Sequence, residues 1–185
     1  HMRAGRLKTP ATLLDLGADL QRVEIDWLWC GIQTKESAEP PFPSSLRSPV
    51  KVSIRAWFDG RLRQGRYLEA DGRLFLIDSA RDFDSSRAEL AITATEFVGE
   101  CGTALPAGQP ARTCRVFMQH DAPMRDDMGQ VTAYKTRAEV ALIEVGRLQA
   151  GYDQLSVGGV TYNVVDYDAS SDDGIVRGLW LEPVE

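Results

Sequence analysis

Histidine is nearly missing from this 185-residue chain. There are two, and one belongs to a His1-Met2 pair that reads as a cloning remnant, which leaves His120 as the native imidazole. Any mechanism needing two histidines on one chain is thereby excluded. Cysteine is scarce as well: Cys30, Cys101 and Cys114 show neither CxxC nor another metal-ligand spacing, and an odd count suits free thiols better than a disulfide framework. Their expected place is the core, where unpaired cysteine usually sits. No apolar run reaches 18 residues and the first residues carry no signal-peptide core, so the expectation is a soluble protein made in the cytosol, with no membrane partner. Positive charge is in deficit. Lys and Arg total 21 against 27 Asp and Glu, a net charge of −6, which argues against a chain built to coat phosphate backbones or to bind nucleic acid sequence-specifically.

Catalytic motifs are missing too: no phosphate-cradling Gly-x-x-x-x-Gly-Lys-Ser/Thr, no Gly-x-Ser-x-Gly elbow and no His-Glu-x-x-His pair. His120, beside Asp121 and Pro123, reads as a surface residue in a turn. The run Asp166-Tyr167-Asp168-Ala169-Ser170-Ser171-Asp172-Asp173-Gly174 places oxygen ligands as a calcium loop does. Ser171 stands where that loop needs glycine, and Arg177 where it needs a closing glutamate, so a solvated turn is the reading. Accordingly no catalytic residue, cofactor or metal is assigned, and the chain is expected not to be an enzyme. The competing class is a calcium-dependent binding module or small hydrolase using Asp82, Asp84, Asp166, Asp168 and Asp172.

What is present is a core and a repeat. With 43% hydrophobic and 26% charged residues, the chain has material for one large domain or two small ones. Gly60-Arg61-Leu62, Gly65 and Asp71-Gly72-Arg73-Leu74-Phe75-Leu76-Ile77 are followed by an acidic turn, 82–86, and by Ala88–Thr93. Gly146-Arg147-Leu148, Gly151 and Gly158-Gly159-Val160-Thr161-Tyr162-Asn163-Val164-Val165 are followed by an acidic turn, 166–174, and by Ile175–Leu181. Gly60 and Gly146 stand 86 apart, and Gly72 and Gly159 stand 87 apart. Two copies of one small domain explain this spacing; the competing explanation is that hairpins share turn chemistry.

Asp71-Gly72 and Gly158-Gly159 reach positive φ easily and lead into β-branched or aromatic runs, the signature of tight hairpins. Alternating runs predict strands over Val50–Trp57 and Ala138–Val145, with further strands at Val23–Trp29 and Cys114–Met118. Helical signals are few. The best, Ala11–Leu20, contains Gly17 and follows Pro10, so a turn or strand fits it equally. The expected fold is therefore all-β, with two small antiparallel β-barrel or β-sandwich domains in tandem and little helix. The first domain takes 1–98 and the second 112–185, and residues 99–111, rich in Gly, Pro and small side chains, read as the linker.

Two surface features are candidates for contact. Lys35–Pro49 holds Pro40, Pro41, Pro43 and Pro49, which disfavour a central strand, so a protruding loop is expected, with Lys35, Pro40, Pro41, Phe42 and Pro43 as interface candidates. Arg55, Arg61, Arg63, Arg66 and Arg73 crowd one stretch of the neutral first half, while the second half carries the whole acidic excess. These arginines form either a basic patch for an acidic neighbour or simply a solvated strand face. Head-to-tail or side-by-side pairing of copies is the assembly the first alternative allows.

Met2-Arg3-Ala4-Gly5-Arg6-Leu7, the tryptophans at 27 and 29, the irregular loop, the strand ending at Trp57 and Asp71–Ala80 together resemble the head-tail adaptor, or head completion, proteins of tailed bacteriophages. The resemblance covers residues 2–97, with 112–185 as a possible diverged second copy. It implies a small β domain assembling as a homo-oligomeric ring in the virion, made in the host cytoplasm and placed between portal and tail around the DNA channel. A tail completion or terminator subunit is the neighbouring alternative. The resemblance also implies that the Lys35–Pro49 loop reaches the channel or an adjoining ring.

Overall fold

The computed structural model describes residues 7–34, 45–47, 50–82 and 84–185. The chain divides into two compact units, 1–97 and 98–185. Each is built from six antiparallel strands. The first holds β1 (Thr9–Leu16), β2 (Arg22–Thr34), β3 (Lys51–Trp57), β4 (Tyr67–Ala70), β5 (Arg73–Asp82) and β6 (Glu89–Phe97). The second holds β7 (Glu100–Leu105), β8 (Arg112–Arg125), β9 (Val131–Ala141), one helical turn α1 (Leu142–Val145), β10 (Gln154–Val157), β11 (Val160–Asp168) and β12 (Val176–Pro183).

Both sheets close into barrels, which resolves the expectation of barrel or sandwich. The first runs β1-β2-β3-β6-β5-β4, with β4 returning to β1; the second runs β7-β8-β9-β12-β11-β10, with β10 returning to β7. Adding six to each strand number converts one order into the other. Register follows the same rule: Ile92 pairs with Ala80 and Ile54, and Leu179, 87 residues on, pairs with Tyr167 and Ala138. The bulge on β5 after Ile77 recurs on β11 after Val164. Shared turn chemistry does not explain a bulge and register repeated across three strands, so the duplication is a property of the whole domain.

The hairpins explain why the turns were legible. Asp71 and Gly72 have φ of 51° and 70°, and Gly158 and Gly159 have 60° and 81°, the double positive-φ geometry of a two-residue turn between right-twisted strands. Inward positions fill each lumen. Leu13, Cys30, Ile54, Ala56, Leu68, Ala70, Phe75, Ile77, Ile92 and Ala94 lie in the first core, and their counterparts Ala104, Val116, Ala138, Val140, Leu155, Val157, Tyr162, Val164, Leu179 and Leu181 in the second. Where one barrel has a large residue the other often has a small one, but neighbours compensate. The facing pair Ile54–Ile92 becomes Ala138–Leu179, while Ala56, Ala70 and Ala94 grow to Val140, Val157 and Leu181. Interiors packed to crystal-like density tolerate such exchanges when total volume is kept.

Two expectations need correction and one open choice is resolved. Residues 99–111 are not a linker: Glu100–Leu105 is β7, paired with β8 on one side and β10 on the other, and it closes the second barrel. The strand expected over Ala138–Val145 ends at Ala141, where the N–H of Leu142 donates to Ile175 O at 3.0 Å and the chain turns through α1. The open choice over Ala11–Leu20 falls mainly to a strand, β1, followed by a 3-10 turn at Ala18–Leu20. The interface candidates Lys35, Pro40, Pro41, Phe42 and Pro43 lie outside the described residues, as does most of Met2–Leu7.

Candidate interaction surfaces

On β2 and β3 of the first barrel, Cys30 opposes Ala56 in the core. The strand period of two then sends Trp29 and Trp57, one step along each strand, to the outer face. They line a groove of about 440 Å³ together with Leu7 and Lys8. Trp27 adds its ring edge-on to Trp29, with centroids 5.8 Å apart. Trp27, Trp29 and Trp57 are 61%, 46% and 53% exposed, so indole surface gathers here in water. Isolated exposed apolar side chains are ordinary, whereas a contiguous aromatic patch marks a contact site. In the linear sequence Trp27 and Trp29 stand out only as a pair on one strand. The missed signal was the alternation of Trp27, Trp29 and Trp57 with the inward Leu28, Cys30 and Ala56.

The arginines do not assemble into one basic patch. Arg55 pairs with Glu89 at one end of β6, and Arg73 makes a two-pronged contact with Glu96 near the other, at 2.7 and 2.6 Å. Seven residues of strand put those ends about 23 Å apart. Arg61 sits between Asp59 and Asp26, at 2.7 and 2.8 Å, and Arg66 reaches Asp15 at 3.1 Å and the Arg61 carbonyl at 2.7 Å. Arg61 and Arg66 are thus brought together, but among carboxylates. The Arg61 guanidinium and its hydrogen bond hold Asp59 below the usual carboxylate range; Asp26 is lowered first by the Trp27 N–H and then by Arg61. Arg63 is exposed. Carboxylates from distant strands offset a charge that looked basic in the linear sequence.

In the second barrel the β8–β9 hairpin extends past the rest of the sheet. Ala122–Arg125 pairs only with Val131–Lys135, beyond a bulge holding His120 and Asp121, the latter at φ 52°. The tip is tied by Asp126, whose Oδ1 accepts the N–H groups of Met128 and Gln130, both at 2.9 Å. Met128 and Tyr134 stand in solvent on this arm. His120 is exposed on a strand bulge instead of in a loop turn.

A groove of about 770 Å³ runs from this bulge to the β11–β12 turn, and its floor is an ion network. Arg137 contacts Asp168, Ser171, Glu139 at 2.9 Å and Gln119 at 2.9 Å. Burial works against ionising Asp168, but hydrogen bonds from Arg137 and Ser170, with the guanidinium charge, outweigh it and leave the carboxyl below its ordinary value. Of the carboxylates named for the competing calcium class, four are engaged within the fold, while Asp82 accepts the Arg87 N–H at 2.9 Å through Oδ2 and keeps Oδ1 buried without a hydrogen-bond partner among the described residues. Asp168 serves Arg137, Asp172 pairs with Arg177 at 3.2 Å, Asp166 accepts the N–H of Tyr167 beside it on β11, and Asp84 accepts that of Ser86 in its own turn. Among the described residues no three His, Cys, Asp or Glu side chains gather as a metal cluster. No described helix is long and apolar enough to cross a membrane.

Cys30 and Cys114 are buried, as expected for core thiols, whereas Cys101 is exposed on β7. Burial, with lesser help from nearby carboxylates, pushes Cys30 up to about 11 and Cys114 up to about 12. No family model, curated protein or solved structure matches the chain.

Proposed function

We propose that this chain is a non-enzymatic structural subunit that joins the portal to the tail of a tailed bacteriophage as part of a ring around the DNA channel. The observation that carries the proposal is the aromatic outer face of the first barrel, with Trp27, Trp29 and Trp57 in solvent. Aromatic side chains held on rigid strands are efficient anchors for a protein partner, because burying them removes much apolar area at little loss of freedom. The resemblance to head-tail adaptor proteins gives the partner class, and one of its two most telling segments, Asp71–Ala80, forms the β4–β5 turn and most of β5. A net charge of −6 suits a wall past which DNA slides, since dense positive charge would retard the backbone.

The test is to mix the purified protein with portal rings and, separately, with tail-tube protein, and to sediment both. Co-sedimentation with the portal, weakened at least tenfold by Trp29→Ala, is the expected result. Binding to the tail tube and not to the portal would replace this role with that of a tail completion or terminator subunit. Saturable calcium binding by calorimetry, with a rise in melting temperature, would instead support the binding-module class.

A further inference from the structure

A closed barrel has no strand edges, and the second barrel regains them on its β8–β9 arm. β9 pairs with β12 only over Thr136–Ala141, so along Val131–Lys135 it has a strand, β8, on one side alone among the described residues. The outer edge of β8 is open in the same way past Val116, where its pairing with β7 stops. The two edges differ in chemistry. That of β8 carries the bulge at His120 and Asp121, Pro123 without an N–H, and Arg125, devices that keep an edge from being paired. That of β9 reads Val131-Thr132-Ala133-Tyr134 before its first charge, Lys135, which Glu182 already holds at 2.9 Å. Val131, Thr132 and Tyr134 are exposed, so this unguarded edge stands in water.

We infer that the Val131–Lys135 edge pairs antiparallel with the same edge of a second copy, with Ala133 opposite Ala133 on a two-fold axis. A row of backbone donors and acceptors is completed by another strand, and this edge is its own match. Because side chains alternate with a period of two, identical antiparallel edges cross at a residue and not between residues. Crossing at Ala133 engages all five residues, setting Val131 against Lys135 and Thr132 against Tyr134. No charge then faces its like, the smallest side chain meets itself at the axis, and the pairing of β-branched Thr132 with aromatic Tyr134 forms twice. Two two-stranded arms, each marginal alone in water, become one four-stranded sheet. The same patch is used on both copies, so the contact closes at two. Five residues of strand cover less area than a stable interface needs, so association follows concentration. The inference rests on the arm and stands apart from the portal role.

The experiment uses the full chain. Cys30 and Cys114 are buried, so Cys101→Ser removes the exposed thiol and leaves a background for disulfide trapping. In that background Ala133→Cys puts two thiols directly opposite, with Cβ atoms about 5 Å apart and within reach of a disulfide. Val131→Cys puts its two thiols four residues apart along the strands, about 13 Å, and out of reach. Under mild oxidant Ala133→Cys should give a covalent dimer at least tenfold faster than Val131→Cys. In sedimentation velocity the wild-type chain should pass from monomer to dimer with rising concentration and go no further. Thr132→Lys/Tyr134→Lys sets like charges opposite each other and should weaken association at least tenfold, whereas Thr132→Lys/Tyr134→Glu sets opposite charges there and should restore it. Thr132 and Tyr134 are exposed, so both variants should keep the wild-type circular dichroism spectrum. A wild-type chain that stays monomeric at every concentration would overturn the inference. So would equal trapping at the two cysteine positions, or association that the two charged variants leave alike.

Discussion

Ile77 and Val164 hold the same post in the two barrels. Each is fully buried and stands immediately before a strand bulge. The carbonyl of each accepts the N–H of a positive-φ glycine, Gly65 at 2.9 Å and Gly151 at 2.7 Å, and the N–H of each donates back to the same connection, to Arg66 O at 2.8 Å and Asp153 O at 3.0 Å. The long connection from the third to the fourth strand is pinned to the fifth in the same way in both. The second barrel adds a carboxylate: buried Asp153 accepts the N–H groups of Ala107 and Gln149 at 2.8 and 2.6 Å. Asp153→Ala leaves both donors without their acceptor, and an unsatisfied buried donor costs about 1–3 kcal/mol. The midpoint of urea unfolding of the second barrel should fall accordingly, while Arg66→Ala, at the matching position, should shift the first barrel less.

Two glycines of the second barrel are needed for space and not for turning. A Cβ on Gly178 would lie 2.8 Å from the Asp168 carbonyl oxygen, and one on Gly102 would lie 2.7 Å from the Val116 side chain and 3.1 Å from the Ser156 carbonyl. Backbone atoms in a closed sheet yield little, and overpacking typically destabilises by about 1–3 kcal/mol. Gly178→Ala and Gly102→Ala should each lower the thermal midpoint by several degrees. Gly60→Ala, where nothing lies within 4 Å, should leave it unchanged.

Arg137 is the cation between Glu139 and Asp168, with the three side chains 11%, 7% and 14% exposed. Arg137→Met keeps the length of the side chain and removes the charge, leaving two carboxylates buried together; breaking such a pair costs about 3–5 kcal/mol. Asp168 ionises more readily folded than unfolded. Its contribution is therefore complete above the unfolded carboxylate value and is lost as pH falls through that value toward the folded one. Acid titration of stability below about pH 4 should show this loss in the wild type. In Arg137→Met the trend should reverse, since protonation then relieves the uncompensated charges.

The thiols should separate cleanly. A thiolate is the reactive species, and Cys30 and Cys114 are both buried and raised, so a thiol-reactive dye at neutral pH should label Cys101 alone in the folded chain. All three should react in denaturant. Rapid labelling of two or more thiols under native conditions would contradict the placement of Cys30 and Cys114 in the barrel cores.

Turns announce themselves in the sequence, and edges and partners do not. Asp71-Gly72 and Gly158-Gly159 were legible because positive φ is a local requirement, and the 86–87-residue spacing was legible because the hairpins after it recur. Strand β7 was hidden because its Gly102 resembles linker glycine. Only the approach of Val116 and Ser156, residues far along the chain, shows that no side chain fits there. The arginine cluster looked basic because Asp15, Asp26, Glu89 and Glu96 reach it from other strands. Strand β9 was extended too far because Val140, Ala141, Leu142 and Ile143 are all buried, which ends the alternation without a glycine or proline to mark it. The aromatic face was partly visible, but placing Trp57 beside Trp29 needs the β2–β3 register.

The chain is two copies of one six-stranded barrel, divided in sequence between Phe97 and Val98, with β7 closing the second. The direct measurement is to produce residues 98–185 and 112–185 as separate fragments and compare their unfolding. Residues 98–185 should melt cooperatively with a β-sheet spectrum, and 112–185, lacking the strand between β8 and β10, should not. A fragment 112–185 that unfolds as cooperatively as 98–185 would contradict it.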